Sequence, residues 1–364
     1  MTPSTESDVN KLLKSIELPG IDKTLGDIGR VRELATSDSR ISAQIELGLP
    51  MEREFAATAA DIAARVRAET GVDDVDITLS TRIVAHGVQR NLKPLANIKN
   101  VIAVASGKGG VGKSTVAVNL ALALAADGAN VGLLDADIYG PSQPHMLGLV
   151  GERPISEDGK SMQPLEAFGV QVMSIGFLVD PDQPMVWRGP MVTSALNQLL
   201  QQTHWHDLDY LIVDMPPGTG DIQLTLSQQV PVSGAVIVTT PQDIATIDAR
   251  KGLAMFRKVS IPVLGVIENM STHVCSSCGH EETIFGAGGA AKMAEDFDIS
   301  VLGRLPLDAR IREQTDSGQP TVVSDATAAT ADAYRAAARR MAAALATQGK
   351  DYAAKFPKIV VEDS

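Results

Sequence analysis

The sequence predicts an α/β protein with a doubly wound, mostly parallel sheet, preceded by a small α+β domain. Short apolar runs rich in β-branched residues recur after residue 100 and alternate with helical patterns, as buried parallel strands and their crossover helices do. A glycine-rich segment separates the first of these runs from a long helical pattern. The first 84 residues have a different pattern. Because ligands of doubly wound sheets bind at the carboxyl ends of the strands, we expect function there.

Residues 1–84 are predicted to form the small α+β domain. Their apolar periodicity indicates two helices and three strands, and no catalytic cluster. The helices are predicted at Val9–Ile16 and Glu52–Thr70, and the strands at Val31–Ser37, Ile41–Leu47 and Val72–Ile83. Residues 85–100, which contain Gly87 and Pro94, read as a linker.

Residues 101–349 are predicted to form the larger α/β domain. Its apolar runs are Val101–Ala105, Val131–Leu134, Tyr210–Val213, Ala235–Thr239 and Val263–Ile267. An alanine-rich helix is predicted from Thr327 to about Gln348, followed by a polar tail at 350–364. Strands that alternate with helices in this way build a sheet covered on both faces.

Composition and charge exclude several classes of protein. The formal net charge is −12, which disfavours broad contact with nucleic-acid phosphates. The N-terminus lacks the features of a secretory signal, and no apolar run approaches the roughly 18 residues needed to cross a bilayer. With two cysteines in all, there is no disulfide framework. We therefore expect a cytoplasmic protein that binds neither nucleic acid nor membranes.

Gly107 to Ser114 fits the P-loop pattern G-x-x-x-x-G-K-S, with a strand before it and the helical pattern Lys113–Ala126 after it. Its glycines let backbone N–H groups surround phosphate oxygens, and the helix presents its positive end to the same anion. Lys113 is predicted to contact the β- and γ-phosphates, and Ser114 to ligate Mg²⁺. We expect ATP and Mg²⁺ to contact this segment: Gly107, Lys108, Gly109, Gly110, Val111, Gly112, Lys113, Ser114 and Thr115.

Acidic residues follow two of the predicted strands. Asp214 ends one apolar run, and Asp135 and Asp137 end another. Since these strand ends meet at one edge of the sheet beside the P-loop, the carboxylates are candidates for holding the metal and activating water; the metal ligands are predicted to be Asp135 and Asp214. For any single aspartate at a strand end, the alternative is a helix N-cap.

Lys108 is a second lysine inside the loop, where an ordinary P-loop needs one. A solvated surface lysine is the simplest explanation. Beside bound phosphates, however, a lysine is either expelled by geometry or recruited by charge.

Cys275 and Cys278 form a C-x-x-C pair, for which three interpretations stay open. A redox pair of thioredoxin type belongs at a helix start, for which Gly279-His280 is poorly suited. A zinc site needs four ligands, and His273 and His280 would complete one within the chain. An iron–sulfur cluster usually takes four thiolates, which two copies of the loop supply across a dimer axis. Spacing alone favours zinc.

The motifs together resemble those of a known family. Lys108-Gly-Gly-Val-Gly-Lys-Ser-Thr115, with both lysines, is similar to the deviant Walker A class of P-loop NTPases, which includes MinD, ParA, the arsenite-pump ATPase and the nitrogenase iron protein. Further sequence segments, which follow one another in order between Val101 and about Val323, resemble those of the Mrp/ApbC branch of iron–sulfur cluster carriers. They are Asp135-Ala-Asp-Ile-Tyr-Gly-Pro-Ser142, Trp187-Arg-Gly-Pro-Met191, Asp209-Tyr-Leu-Ile-Val-Asp-Met-Pro-Pro-Gly-Thr-Gly-Asp221, Thr239-Thr-Pro-Gln242, Glu268-Asn-Met-Ser271, Cys275-Ser-Ser-Cys-Gly279, Ile284-Phe-Gly286 and Leu305-Pro-Leu-Asp308.

The resemblance implies a role for individual residues. Lys108 would be the signature lysine that reaches the partner's nucleotide across a homodimer, Asp137 the switch residue that positions the attacking water, and Asp214 the Walker B acid. Gly218 would belong to the second switch, and Asn269 would contact the adenine edge. The alternative for Asn269 is a helix cap or a turn residue, and we favour the base contact.

For the cysteines, the resemblance favours the shared cluster over zinc. It implies a slow ATPase that carries an iron–sulfur cluster, of the 4Fe–4S kind, between Cys275 and Cys278 of two chains and passes it to apoproteins. The residues before 85 resemble the MIP18-like domain often fused ahead of this family, although they lack the cysteine that such a domain can carry.

Two rival functions come from the same class of NTPase. A positioning ATPase like MinD needs an amphipathic membrane helix, and the alanine-rich C-terminal helix lacks the bulky apolar face for it. A DNA-partition ATPase like ParA is disfavoured by the acidic charge. Neither rival requires Cys275 and Cys278.

Overall fold

The structure of the protein, a computed structural model, describes residues 5–89, 92–178 and 189–349, without the side chains of Gly189, Pro190 and Asp221. The predicted tail at 350–364 lies outside these residues, as do Trp187 and Arg188 of the motif quoted above.

Residues 5–84, here called the N-terminal module, contain a three-stranded sheet in the order β3-β4-β5. Strands β3 and β4 are antiparallel, whereas β4 and β5 are parallel because helix α3 crosses between them. The predicted strands and helices are confirmed, with slightly different ends. The elements are α1 (Glu6–Ser15), β1 (Glu17–Leu18), β2 (Lys23–Thr24), α2 (Leu25–Ile28), β3 (Gly29–Thr36), β4 (Arg40–Leu47), a 3₁₀ turn (Glu52–Glu54), α3 (Phe55–Thr70) and β5 (Asp74–Thr81).

The rest of the described chain is built on an eight-stranded sheet in the order β15-β12-β11-β6-β10-β7-β9-β8. Every neighbouring pair is parallel except β8 and β9, so the predicted doubly wound, mostly parallel sheet is confirmed. Its strands are β6 (Ile98–Ser106), β7 (Val131–Asp135), β8 (Leu165–Ala167), β9 (Val170–Ser174), β10 (Leu208–Asp214), β11 (Gly234–Thr239), β12 (Val263–Glu268) and β15 (Val301–Arg304).

Helices connect these strands, and a two-stranded hairpin projects after β12. The predicted P-loop helix has the predicted bounds. The helices are α4 (Lys113–Ala126), α5 (Gln143–Met146), α6 (Gly189–Gln202), α7 (Asp221–Gln229), α8 (Asp243–Lys258), α9 (Gly289–Phe297), α10 (Ala309–Asp316), α11 (Thr321–Ser324) and α12 (Ala329–Ala346); Ile175–Phe177 form a 3₁₀ turn, and the hairpin consists of β13 (His273–Val274) and β14 (Glu281–Glu282).

Strand β6 begins at Ile98, so the predicted linker is three residues too long. Ile98 and Asn100 pair with β10. The start of β6 was missed because two of its residues, Lys99 and Asn100, are polar and interrupt the apolar pattern. Lys99 forms an ion pair with Asp209, and the buried Asn100 amide donates to the carbonyl oxygens of Val84 and Asp209. Asn100 thereby fixes the connecting segment to the sheet.

Helix α12, the predicted alanine-rich helix, packs against α4 and β15. Its Tyr334, Met341 and Leu345 are buried, so its apolar side chains belong to the protein core. Within the described ranges, no helix combines the length and hydrophobicity that a membrane crossing requires.

The N-terminal module contacts the far end of the P-loop helix. Arg339 on α12 donates to the buried Asp127 carboxylate, which follows α4, at 2.7 Å, and to Glu54 of the module at 3.1 Å. The backbone N–H of Glu52 also donates to the Asp127 carbonyl at 3.2 Å. One guanidinium thus joins the first and last helices of the sheet domain to the module.

Candidate functional site

The P-loop connects β6 to α4, and its glycines are required by geometry. Gly110 and Gly112 have φ values of +82° and +80°, in the left-handed region that favours glycine. A Cβ on Gly107 would lie 2.1 Å from the backbone carbon of Asp248 on α8. The loop therefore packs against a neighbouring helix while exposing its own backbone.

This exposed backbone lines a cavity of about 320 Å³. A Cβ on Gly109 or Gly110 would meet no atom within 4 Å, so open space lies directly above the loop. The walls include the predicted residues Lys108, Lys113, Ser114, Thr115 and Asp137. Because the cavity also faces the N-terminus of α4, phosphate groups suit its charge and its donors.

Lys113 is 6% exposed and points toward the acidic strand ends. Its ammonium forms a short ion pair with the fully buried Asp214 and lies 3.8 Å from the Asp137 carboxylate. It also donates to the Ser114 hydroxyl at 3.1 Å. The structure thus brings three of the predicted residues, Ser114, Asp137 and Asp214, together around the Lys113 ammonium.

Lys108 also lines the cavity, and its backbone carbonyl accepts a hydrogen bond from the Ser106 hydroxyl at 2.8 Å. No carboxylate of the described residues forms an ion pair with its ammonium. Lys108 therefore differs from Lys113, whose charge is compensated inside the chain.

Asp135 lies beside Asp214 on the adjacent strand, but its contacts differ from the prediction. Its carboxylate accepts hydrogen bonds from the backbone N–H groups of Ser142, Gln143 and Asp137 at 3.0, 3.1 and 3.2 Å, and from the Ser174 hydroxyl at 3.0 Å. In the structure this carboxylate holds the loop that follows β7, and metal binding by Asp135 stays a prediction. Burial, and then the Asp214 charge, raise the pKa of Asp135 to about 7.

Asp137 lies on the cavity wall in the loop that Asp135 holds. Burial raises its pKa above the ordinary value, and the positive charge of Lys113 opposes that shift. A carboxylate with a raised pKa in contact with the cavity is suited to accept a proton from a water molecule.

Gln143 was missed by the sequence analysis. Its side-chain nitrogen donates to the Ser114 carbonyl at 3.1 Å and to the Asp214 carboxylate at 2.8 Å. Ser174, whose hydroxyl bonds Asp135, was missed as well. Neither residue belongs to a sequence motif that indicates a functional site. Both were missed because their contacts are with residues far away in the sequence.

Asn269 follows β12 and contacts the P-loop. Its amide nitrogen donates to the Val111 carbonyl at 2.9 Å, and it would lie 2.2 Å from a Cβ on Gly112. Adenine recognition by Asn269 stays a prediction, because the contact in the structure is to the loop backbone.

Cys275 and Cys278 lie in the turn between β13 and β14. Cys275 is half-buried and Cys278 is exposed. The turn is closed by hydrogen bonds from the Cys275 N–H to the His280 carbonyl and from the Gly279 N–H to the Cys275 carbonyl, both 2.9 Å. Backbone N–H groups of Ser277 and Cys278, together with the Cys278 thiol, lower the pKa of the Cys275 thiol.

The turn tests two of the three interpretations of the cysteines. It joins two strands and does not begin a helix, which removes the thioredoxin-type arrangement. His273 directs its Nδ1 to the Leu307 carbonyl at 3.0 Å. Across residues 5–89, 92–178 and 189–349, no three His, Cys, Asp or Glu side chains converge as a metal site, so the four ligands of the zinc interpretation are not assembled there.

Comparison with known proteins gives consistent matches. Residues 97–342 match the family model described as ParA, NUBPL iron-transfer P-loop NTPase. The iron–sulfur cluster carrier protein of Escherichia coli strain K12 is 50% identical over 338 residues, covering 93% of this chain and 92% of that protein.

Solved structures agree on the fold. A nucleotide-binding protein from Archaeoglobus fulgidus in complex with ADP is 38% identical, with a TM-score of 0.55, and the match covers 61% of this chain and 88% of that one. The cell-division ATPase MinD of Pyrococcus furiosus is 22% identical, with a TM-score of 0.50 over 66% of this chain and 98% of its own, which shows the fold alone. With a P-loop, acidic strand ends and a family match over most of its length, the chain belongs to the iron-transfer P-loop NTPase family.

Proposed function

We propose that the protein is an ATP-hydrolysing carrier that binds an iron–sulfur cluster between two copies of the chain and transfers it to apoproteins. The observation that carries this proposal is the Cys275–Cys278 turn. It presents two thiols at the surface, and among the described residues no third His, Cys, Asp or Glu side chain joins them in a group that could hold a metal. A similar protein is named an iron–sulfur cluster carrier.

The chemistry of the turn suits a cluster that must be released. Cys275 has a lowered pKa because N–H groups stabilise its thiolate, and thiolate is the form that binds iron. A cluster usually needs four such ligands, so two turns related by a dimer axis would complete the set. An acceptor's thiolates could then displace those of the carrier one at a time. We propose a 4Fe–4S cluster as this cargo.

The residues around the P-loop are suited to bind Mg²⁺ and a nucleoside triphosphate. The open space above Gly109 and Gly110, with Lys113 at its base, is the observation that supports this fit. We propose that the loop from Gly107 to Thr115 holds the phosphates and that Ser114 and Asp214 hold the metal. When bound, Mg²⁺ would neutralise charge on the phosphate oxygens.

Two further residues would act on hydrolysis. Asp137 would orient the attacking water and accept its proton. The ammonium of Lys108, which has no ion pair among the described residues, would reach the nucleotide of the other subunit and stabilise charge that develops there.

Asn269 provides a route between the two sites. Its side chain holds the P-loop carbonyl of Val111, and six residues later the chain reaches Cys275. The Ser271 N–H and hydroxyl between them both bond the Leu305 carbonyl. We propose that a change in the P-loop on nucleotide binding moves this connection and alters access to the cluster.

The proposal is tested by anaerobic reconstitution with iron and sulfide, followed by metal analysis and transfer to an apo-ferredoxin. We expect about four irons per dimer, with loss of iron and colour in Cys275→Ala and Cys278→Ala. Ser276→Ala, in the same turn, is the matched control and should retain the cluster. One zinc per chain that survives dissociation of the dimer would refute the carrier function.

A further inference from the structure

Gln143 is fully buried at the first residue of α5, and its amide lies between the P-loop helix and β10. Its Nε2 donates to the Ser114 carbonyl and to Oδ2 of Asp214. We infer that Gln143 is a positioning residue that keeps the Asp214 carboxylate oriented for Mg²⁺ once a nucleotide is bound. This inference rests on the proposed nucleotide site.

The orientation of the Gln143 amide is fixed by its neighbours. Both of its N–H donors are used, since each of the two acceptors takes one. A flipped amide would direct Oε1 at a carboxylate and a carbonyl, and both contacts would repel. Oε1 itself has no hydrogen-bond partner within the described ranges. The two donor contacts therefore define the orientation of the amide.

The Asp214 carboxylate shares its two oxygens between two donors. Oδ1 pairs with Lys113, and Oδ2 accepts from Gln143. The phosphates of a nucleotide offer Lys113 a more highly charged partner than one carboxylate does. When Lys113 turns to them, Gln143 is the donor that remains on Asp214 in the part of the chain described here. Gln143 therefore matters most when the cavity is occupied.

The backbone of Gln143 is fixed as well. Its N–H donates to Asp135, the same carboxylate that holds the N–H of Asp137. The residue proposed to orient water and the residue that orients Asp214 thus share one anchor. A shift of this loop would move both together.

The test replaces Gln143 with methionine, which keeps the length of the side chain and removes both donors. Mn²⁺ stands in for Mg²⁺, and its affinity is measured by electron paramagnetic resonance in the presence of saturating ADP. Loss of a hydrogen bond to a charged group should weaken Mn²⁺ binding about 10- to 100-fold. ADP affinity in EDTA should change less than about twofold, because Gln143 bonds the Ser114 carbonyl from outside the set of residues that line the cavity.

Gln89→Met is the matched control. The Gln89 amide also donates to two acceptors, the carbonyls of Ser227 and Val230, but neither is charged and Gln89 belongs to the connecting segment before β6. Its replacement should leave Mn²⁺ affinity unchanged. Gln143→Leu is a second variant that should behave as Gln143→Met does, should the methionine chain not fold.

Wild-type Mn²⁺ affinity in a folded Gln143 variant would overturn the inference. So would a loss of ADP affinity in EDTA as large as the loss in Mn²⁺, because that pattern indicates general damage to the cavity. The readout requires neither ATP hydrolysis nor a cluster. A wild-type protein that binds Mn²⁺ and ADP but transfers no cluster would therefore refute the proposed function and leave this inference standing.

Discussion

The cavity above the P-loop and the cysteine turn are built in opposite ways. Around the cavity, Lys113 and Asp214 are buried and paired within the chain. The cysteine turn projects on two strands of two residues each, with Cys278 exposed. A buried network holds its groups in fixed positions, because each charge needs its partner. A surface turn with two ligands per chain suits a cargo that arrives and leaves.

The largest expected effect comes from removing the cation at the centre of the buried network. Lys113→Ala should weaken ADP and ATP binding by at least about 100-fold, because the phosphates lose their main counter-charge. It should also lower the free energy of unfolding by about 3 kcal/mol, since Asp214 is left beside Asp135 without a cation. Calorimetric titration and urea unfolding measure the two effects.

Lys99→Ala is the matched control for that experiment. Lys99 pairs with Asp209, but its own side chain is 49% exposed. Its removal should cost less than about 1 kcal/mol and leave nucleotide affinity unchanged. If Lys113→Ala bound ADP as tightly as wild type, the buried network would not be the nucleotide site.

A smaller effect is expected when two inactive variants are mixed. This experiment tests whether the nucleotide site, like the proposed cluster site, needs residues from two chains. Lys108→Ala and Asp137→Ala should each bind nucleotide but lose turnover. Mixed one to one, they should recover about a quarter of wild-type activity, because half of the dimers are mixed and each of these has one complete site.

Native mass spectrometry confirms that mixed dimers have formed in that experiment. Hydrolysis that stays absent at every mixing ratio would place Lys108 and Asp137 in the same chain's site. The contrast with the cysteine turn would then be sharper, because only the cluster would need two chains.

The smallest expected effect concerns the reactivity of the turn. In Cys278→Ala, alkylation of Cys275 by iodoacetamide should have its midpoint at a lower pH in the folded chain than in urea, because the N–H donors that lower its pKa exist only in the folded turn. Since the thiolate is the nucleophile, the folded chain should react several-fold faster at pH 7.5. Equal midpoints would mean that the turn does not preorganise its thiolates.

The sequence was most informative where the pattern is local. The helix at Lys113–Ala126 was predicted to the residue, because a P-loop motif marks its start and Gly128 follows its end. Five of the eight strands of the large sheet were predicted from their apolar runs, whereas β8, β9 and β15 at its two edges were not predicted. Strand β6 was cut short because Lys99 and Asn100, which are polar, belong to it through tertiary contacts.

From the sequence we predicted that several acidic and basic residues would lie together beside the P-loop, but not which contacts they would make. Lys113, Asp137 and Asp214 do meet, because parallel strands end at one edge. That Asp135 holds a loop, and that Gln143 is the second partner of Asp214, depends on how that loop folds back onto the sheet. The periodicity of apolar residues along the sequence carries no information about such a contact.

The position of Arg339 late in the chain determines when its contacts can form during synthesis. Asp127, its buried partner, is synthesised 212 residues earlier, and Glu54 is synthesised 285 residues earlier. On the ribosome, the N-terminal module and the P-loop helix therefore emerge long before the group that joins them. Until α12 is released, Asp127 lacks its guanidinium partner, and the N-terminal module and the P-loop helix share the Glu52–Asp127 hydrogen bond without Arg339. The Arg339 contacts can therefore form only after the last helix of the described chain has been synthesised, and premature termination would leave a protein whose two parts are not held together by Arg339.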